Sequence, residues 1–231
     1  MTTVLITGAS KGIGKAAARR FLDSGARVIN LSRTPSDVDG IENRQIDLAA
    51  AGAADDVASL AAELDPGVIH LIHNAATLTN DSVRDTTAAH FRAIIEVNLI
   101  GPQLLNQALL PAMKTGSSII YIGSTLSEKA VPNSYTYVTT KHAMVGMMRA
   151  TCQDLIKTGI HTACVCPGFT NTEMLRTHVG ESDDILQSIA AMSGFGRLIE
   201  PEEIAETILF AANNPVINGA VIHANLGQVE S

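Results

Sequence analysis

The sequence predicts a doubly wound α/β domain, a parallel sheet with helices on both faces. Three observations carry this. Short β-branched apolar runs alternate with helical patterns along the whole chain. A glycine-rich turn separates the first such run from the first helix. No linker-like stretch or internal repeat breaks the alternation, so residues 1–231 read as one domain.

Residues 3–6, Thr-Val-Leu-Ile, read as a buried strand. The turn over 7–14 follows, with Gly8, Gly12 and Gly14 spaced around Ser10, Lys11 and Ile13. Such a turn between strand and helix forms a phosphate cradle. Glycines let the backbone come close, and the helix amino end presents unpaired N–H groups. The helical pattern over 15–24 stops at Gly25. Residues 27–31 make a second strand with Ser32 and Arg33 at its end, and 44–47 a weaker third. An Ala-rich helix over 49–64 leads to Pro66 and Gly67, then to a strand over 68–72 closed by His73, Asn74, Ala75 and Ala76. Residues 86–113 read as one long helix carrying Asn98 and kinked at Pro102. A strand over 118–123 ends at Ser124, and a helix with Tyr137 and Lys141 follows. The strand over 160–166 ends at Pro167 and Gly168, and an irregular segment runs to Arg197. A helix over 201–213 and a strand near 220–224 finish the chain.

Composition narrows the class. The 231 residues are 46% hydrophobic, enough for a sizeable core, and only 17% charged. A net charge of −7 speaks against nucleic acid and anionic membranes as partners. No apolar run approaches a membrane span, and a strand beginning at Thr3 leaves no room for a signal peptide. Three cysteines without a Cys-x-x-Cys suit a reducing compartment. The expectation is a soluble cytoplasmic protein. Cys164 and Cys166 share one strand face and read as buried small hydrophobes.

The chemistry centres on residues 124–141. Tyr137 and Lys141 are four apart, so they share a helix face. A phenol near pKa 10 exchanges protons poorly at neutral pH, and an adjacent ammonium favours its charged form. Ser124 could offer a hydroxyl to the same small molecule. Alone, this spacing arises by chance in many helices. Here the glycine turn, Ser32, Arg33, Asn74, Ser124, Pro167 and Gly168 all fall at strand ends, where ligands of such sheets bind.

With these residues in view, the chain resembles the single-domain short-chain dehydrogenases/reductases over nearly its whole length. The resemblance implies a Rossmann-like three-layer sandwich and an NADP(H)-dependent oxidoreductase acting on a small carbonyl or alcohol. It gives Gly8, Ser10, Lys11, Gly12, Ile13 and Gly14 to the cofactor turn, and Asp47 with Leu48 to the adenine. Asn74 and Ala75 match a further cofactor segment, in which Ala76 replaces the usual glycine. Pro167, Gly168, Phe169, Thr170 and Thr172 match the segment gripping the nicotinamide carboxamide. Asn98, Ser124, Tyr137 and Lys141 match the catalytic four. In that scheme Ser124 binds the carbonyl and Tyr137 donates the proton. Lys141 lowers the tyrosine pKa and holds the ribose, while Asn98 anchors a water.

Cofactor choice rests on the end of the second strand. NAD-selecting proteins usually carry a carboxylate there. This chain has Ser32 and Arg33, with Lys11 nearby, which suits a 2′-phosphate. Residues 170–197 are expected to form a substrate lid. In it His178 reads as a surface residue, and Glu181, Asp183 and Asp184 as a solvated face. The acidic lid disfavours the alternative of a 3-oxoacyl-carrier-protein reductase, because acyl carriers are themselves acidic. A non-catalytic nicotinamide-cofactor sensor is the other alternative, disfavoured because Tyr137 and Lys141 are both present. An enoyl reductase would place its tyrosine and lysine farther apart. A homodimer or homotetramer is expected through the Asn98 and Tyr137 helices. Ala143, Gly146, Met147 and Ala150 face either a partner or the protein's own core.

Overall fold

A computed structural model describes residues 1–180 and 182–228. Seven parallel strands run β3-β2-β1-β4-β5-β6-β7 across one sheet. They are β1 (Thr3–Thr7), β2 (Arg27–Ser32), β3 (Glu42–Gln45), β4 (Ile69–His73), β5 (Ser118–Ile122), β6 (His161–Pro167) and β7 (Ala220–Ala224). The order reverses between β1 and β4, which opens a crevice at their carboxyl ends.

Two apolar layers sandwich the sheet. On one face α1 (Gly12–Asp23) and α8 (Pro201–Asn213) bury Ala17, Phe21, Ile204 and Ile208 against Val4, Ile6, Ile72, Ile120 and Val165. On the other, α2 (Ala53–Ala62), α4 (Gly101–Leu109) and α5 (Tyr135–Asp154) bury Val57, Leu60, Leu105, Leu109, Met144 and Met148 against Leu5, Ile29, Leu71 and Ile119. The central strands β4, β5 and β6 are buried along their whole length, as strands covered on both faces must be.

Several boundaries differ from the sequence expectation. Helix α1 begins at Gly12, inside the glycine turn, rather than at Lys15. Strand β3 lies two residues earlier than expected, and α2 starts only at Ala53. The delay follows from Asp47, whose carboxylate accepts from the Ala49 N–H at 3.0 Å and closes a turn that competes with helix. The long helix is broken into α3 (Ala88–Ile95), a π-helical turn Glu96–Ile100 around Asn98, and α4. Pro102 causes no kink because it occupies the first turn of α4, where a missing N–H costs nothing. The interruption is the π turn instead, and Gly101 beside it lets Leu48 in, since a Cβ there would sit 2.9 Å from the Leu48 Cβ.

The irregular segment contains two short helices, α6 (Glu173–Val179) and α7 (Asp183–Ala190). Thr172 caps the first by accepting from the Leu175 N–H at 3.3 Å. Glu181 lies outside the described residues; Asp183 and Asp184 are exposed as expected. On α5, Ala143, Gly146 and Ala150 face outward rather than into the protein's own core, with Met147 half-buried.

Candidate active site

The glycine turn is built around close backbone approach. Gly8 and Gly12 hold φ of 71° and 57°, a region that favours glycine. A Cβ on Gly14 would lie 2.3 Å from the Gly8 carbonyl oxygen. Thr7 and Asn74 lock the turn to β4. The Asn74 amide donates to the carbonyls of Thr7 at 2.9 Å and Gly8 at 3.1 Å, and the Thr7 hydroxyl accepts from the N–H groups of Asn74 and Ala75, both at 2.9 Å. No side chain caps the amino end of α1, and its first turn holds no acidic residue. Its N–H groups therefore remain available to an anion. The cradle fits the pyrophosphate of a dinucleotide.

Asn30 supports the site without lining it. Buried inside β2, it accepts from the Ala9 N–H at 3.0 Å and so supports the turn from below. A buried amide within an apolar strand run was its only trace in the sequence. At the end of β2, the Ser32 hydroxyl donates toward the Thr34 carbonyl at 2.6 Å, while Arg33 is exposed on the cavity wall. Lys11 also lines the cavity, and its ammonium pairs with Glu173 at 2.9 Å. That contact ties the glycine turn to the lid.

Ser124 caps a short 3-10 turn, Thr125–Ser127, at the carboxyl end of β5. Its oxygen accepts from the Leu126 N–H at 3.1 Å, and Ser127 in turn accepts from the Ser124 N–H at 3.1 Å. Gly123 is required there, because a Cβ would meet Cys166 Sγ at 2.7 Å and Cys164 Sγ at 2.8 Å. The two cysteines are buried as expected, with Sγ atoms 3.8 Å apart.

Tyr137 and Lys141 come from the first two turns of α5, both buried. The start of α5 is fixed by Asp81, another residue the sequence did not reveal. Its carboxylate accepts from the Thr136 N–H at 3.1 Å and the Thr86 hydroxyl at 3.0 Å. Burial opposes that charge, but the hydrogen bonds from Thr136 and Thr86 hold the carboxyl below its ordinary range. Asn98 spans two elements. Its amide donates to Thr140 at 3.0 Å and to the Thr77 carbonyl at 3.1 Å, and its oxygen accepts from the Thr77 N–H at 2.8 Å.

The electrostatics correct one expectation. Burial pushes the Tyr137 phenol up to about 12, with the Ser124 hydroxyl only partly offsetting it. Burial also pulls the Lys141 ammonium down to about 8. Lys141 donates to the Ile122 carbonyl at 2.5 Å and sits 5.4 Å from the Tyr137 ring centre. In this arrangement desolvation outweighs any lowering of the tyrosine pKa by the lysine.

Of the residues singled out from the sequence for binding and catalysis, all but Gly14 and Asn98 line one cavity of about 840 Å³. Those two stand behind its wall, Gly14 against Gly8 and Asn98 against Thr77. His178, expected at the surface, is half-buried in the cavity lining, and burial lowers its pKa.

Comparison with known proteins places the chain among relatives. Residues 8–228 match a family model described as enoyl-(acyl carrier protein) reductase. The chain is 31% identical over 239 residues to the 3-oxoacyl-(acyl-carrier-protein) reductase FabG of Salmonella typhimurium, across 97% of this chain and 96% of that one. It matches the crystal structure of a short chain dehydrogenase family protein from Francisella tularensis with a TM-score of 0.91, at 26% identity and 98% coverage of both chains. A putative NAD(P)-dependent gluconate 5-dehydrogenase from Beutenbergia cavernae, solved with bound NADP, matches with a TM-score of 0.87 at 28% identity, across 98% of this chain and 96% of that one.

Proposed function

The chain belongs to the short-chain dehydrogenase/reductase family of NAD(P)-dependent oxidoreductases, and from that premise we propose that it transfers a hydride between NADP(H) and a small carbonyl compound or its alcohol, with Tyr137 as the acid–base. The observation that carries the reading is that Ser124, Tyr137 and Lys141 line one cavity with the glycine turn, the Lys141 ammonium 5.4 Å from the Tyr137 ring centre. The nicotinamide, when bound, supplies or accepts the hydride. The chain's own residues bind and orient the partners and handle the proton. A phenol with a pKa near 12 is protonated at neutral pH, which suits donation to a carbonyl oxygen held by Ser124. Lys141, charged below about 8, would favour the phenolate that remains. Gly8, Ser10, Gly12 and Ile13 would hold the pyrophosphate, Asp47 and Leu48 the adenine, and residues 167–172 the carboxamide.

NADP(H) is favoured over NAD(H) by the missing carboxylate at the end of β2. Ser32 and Arg33 occupy that position, and the next acid, Asp37, is paired with Lys15 at 2.5 Å. A free substrate is favoured over a carrier-bound one, because Asp183 and Asp184 leave the lid acidic on its exposed side. The outward face of α5, with Ala143, Gly146 and Ala150, supports self-association as a dimer or tetramer. No helix among the described residues is long and apolar enough to cross a membrane.

The test is a screen of free and carrier-bound carbonyl compounds, followed by loss of the reduced-nicotinamide absorbance. Turnover of free ketones or aldehydes with NADPH is expected. Activity confined to carrier-bound 3-oxoacyl chains and weakened by salt would replace this reading with the carrier-protein one. Cofactor binding without turnover of any compound would point to a sensor.

A further inference from the structure

The sheet order divides the cavity. The glycine turn, Ser32, Arg33 and Asp47 stand at the ends of β1, β2 and β3, whereas Ser124, Tyr137 and the lid lie beyond β5 and β6. The second half carries a continuous run of large apolar side chains, with Thr125, Ser134 and Gln228 as polar points among them. Leu126 and Val131 come from the loop after β5, Met174 and Leu175 from α6, and Ile189 and Met192 from α7 and the turn after it. Val131, Met174 and Met192 remain 47%, 43% and 38% exposed. Large apolar side chains that converge on a cavity and stay in water mark a surface that an apolar body covers. The two methionines can adapt to the shape of that body.

The charges in this half are already engaged. Glu173 pairs with Lys11, and Arg176 donates to the Asn171 side-chain amide oxygen at 2.7 Å. Lys129 interacts within the chain. Burial favours the neutral ring of His178. A carboxylate or phosphate on the substrate would find an unfavourable, apolar surface here. A polyhydroxylated substrate would need several matched donors and acceptors. The Thr77 N–H, which could have been one, is taken by Asn98 at 2.8 Å.

Resting on the reading that this cavity carries out hydride transfer, we infer that the substrate is a neutral, largely apolar ketone or the matching secondary alcohol, its alkyl or ring body lying against the methionine-bearing lid, and not a sugar, a sugar acid or an oxo acid. In the reducing direction the ketone carbon gains the hydride of NADPH and its oxygen the Tyr137 proton. The secondary alcohol and NADP+ are released, and solvent returns the proton to Tyr137.

The experiment measures kcat/KM with NADPH for three matched series: methyl ketones of increasing chain length, oxo acids of the same lengths, and hydroxylated ketones and aldoses. Efficiency is expected to rise about fourfold per added methylene until the cavity is filled, with a loss of at least about a hundredfold when the far end carries a carboxylate. Leu175→Gln and Met192→Gln should each flatten the chain-length dependence, read as the ratio between the longest and shortest ketone. A flat dependence in the unmodified protein would overturn the inference while leaving the oxidoreductase reading intact. So would a preference for oxo acids that Lys129→Gln removes, or a preference for aldoses. No turnover in any series, with cofactor binding confirmed by fluorescence, would overturn the reading and the inference together.

Discussion

Asn74, at the end of β4, donates its amide to the carbonyl oxygens of both Thr7 and Gly8, at 2.9 and 3.1 Å. The neighbouring strand thereby fixes the curvature of the glycine turn. Asn74→Ala leaves those carbonyls without their donor, and hydrogen bonds of this kind are worth about 0.5–1.5 kcal/mol each. Cofactor affinity should fall by roughly ten- to a hundredfold, measured by fluorescence titration, while the far-ultraviolet spectrum stays native. Unchanged affinity would show that the turn holds its shape without Asn74.

Tyr137→Phe should lower kcat by about 10²–10⁴-fold with little change in cofactor affinity, the usual range for a general acid–base. Tyr135, exposed at the start of α5, is the control, and Tyr135→Phe should be mild. In the unmodified enzyme the pH profile of kcat/KM for reduction should fall as pH rises through about 8, where Lys141 loses its proton. Near-normal turnover by Tyr137→Phe would remove the tyrosine from the mechanism.

Replacing Ser32 with Asp and Arg33 with Gln puts a carboxylate where a 2′-phosphate would lie and removes a cation beside it. The KM for NADPH should rise at least tenfold, and that for NADH should stay level or improve. The ratio of catalytic efficiencies in the unmodified protein is the direct measure. A ratio favouring NADH would withdraw the assignment of Arg33.

Acid should weaken the fold through two buried histidines. Burial holds His70 at about 4, helped by neighbouring His161, and holds His73 at about 4 despite its 2.8 Å contact with Asn106. The unfolded rings titrate near 6.5, so the folded chain favours the neutral form. Stability is complete above about 6.5, declines as pH falls toward 4, and each ring contributes at most about 3 kcal/mol to that loss. Urea denaturation at about pH 7 and pH 5 checks this. Equal midpoints would mean that neither ring takes up a proton on unfolding in that window.

The sheet and the centre of the site were legible because their signals are local. β-branched runs mark strands, Gly8, Gly12 and Gly14 announce a close backbone approach, and the spacing of Tyr137 and Lys141 follows from helical geometry. What escaped depends on distant partners. Asn30 supports Ala9 from 21 residues away, and Asp81 fixes Thr136 from 55 residues away. No pattern within a window reveals either. The π turn at Asn98 was hidden because its apolar spacing matches an ordinary helix, and α6 and α7 because helices of 7 and 8 residues barely establish a period. The net shift of Tyr137 escaped for a different reason. Spacing shows which groups meet, whereas burial decides which charge state survives.

Lys11 joins Glu173 across the cavity mouth, and a Cβ on Gly12 would already touch Thr172 Cγ2 at 3.3 Å. The proposed substrate wall and the proposed pyrophosphate loop thus meet at these two contacts. Substitutions at Thr172 or Glu173 are therefore expected to change how long the dinucleotide stays as well as which substrate enters.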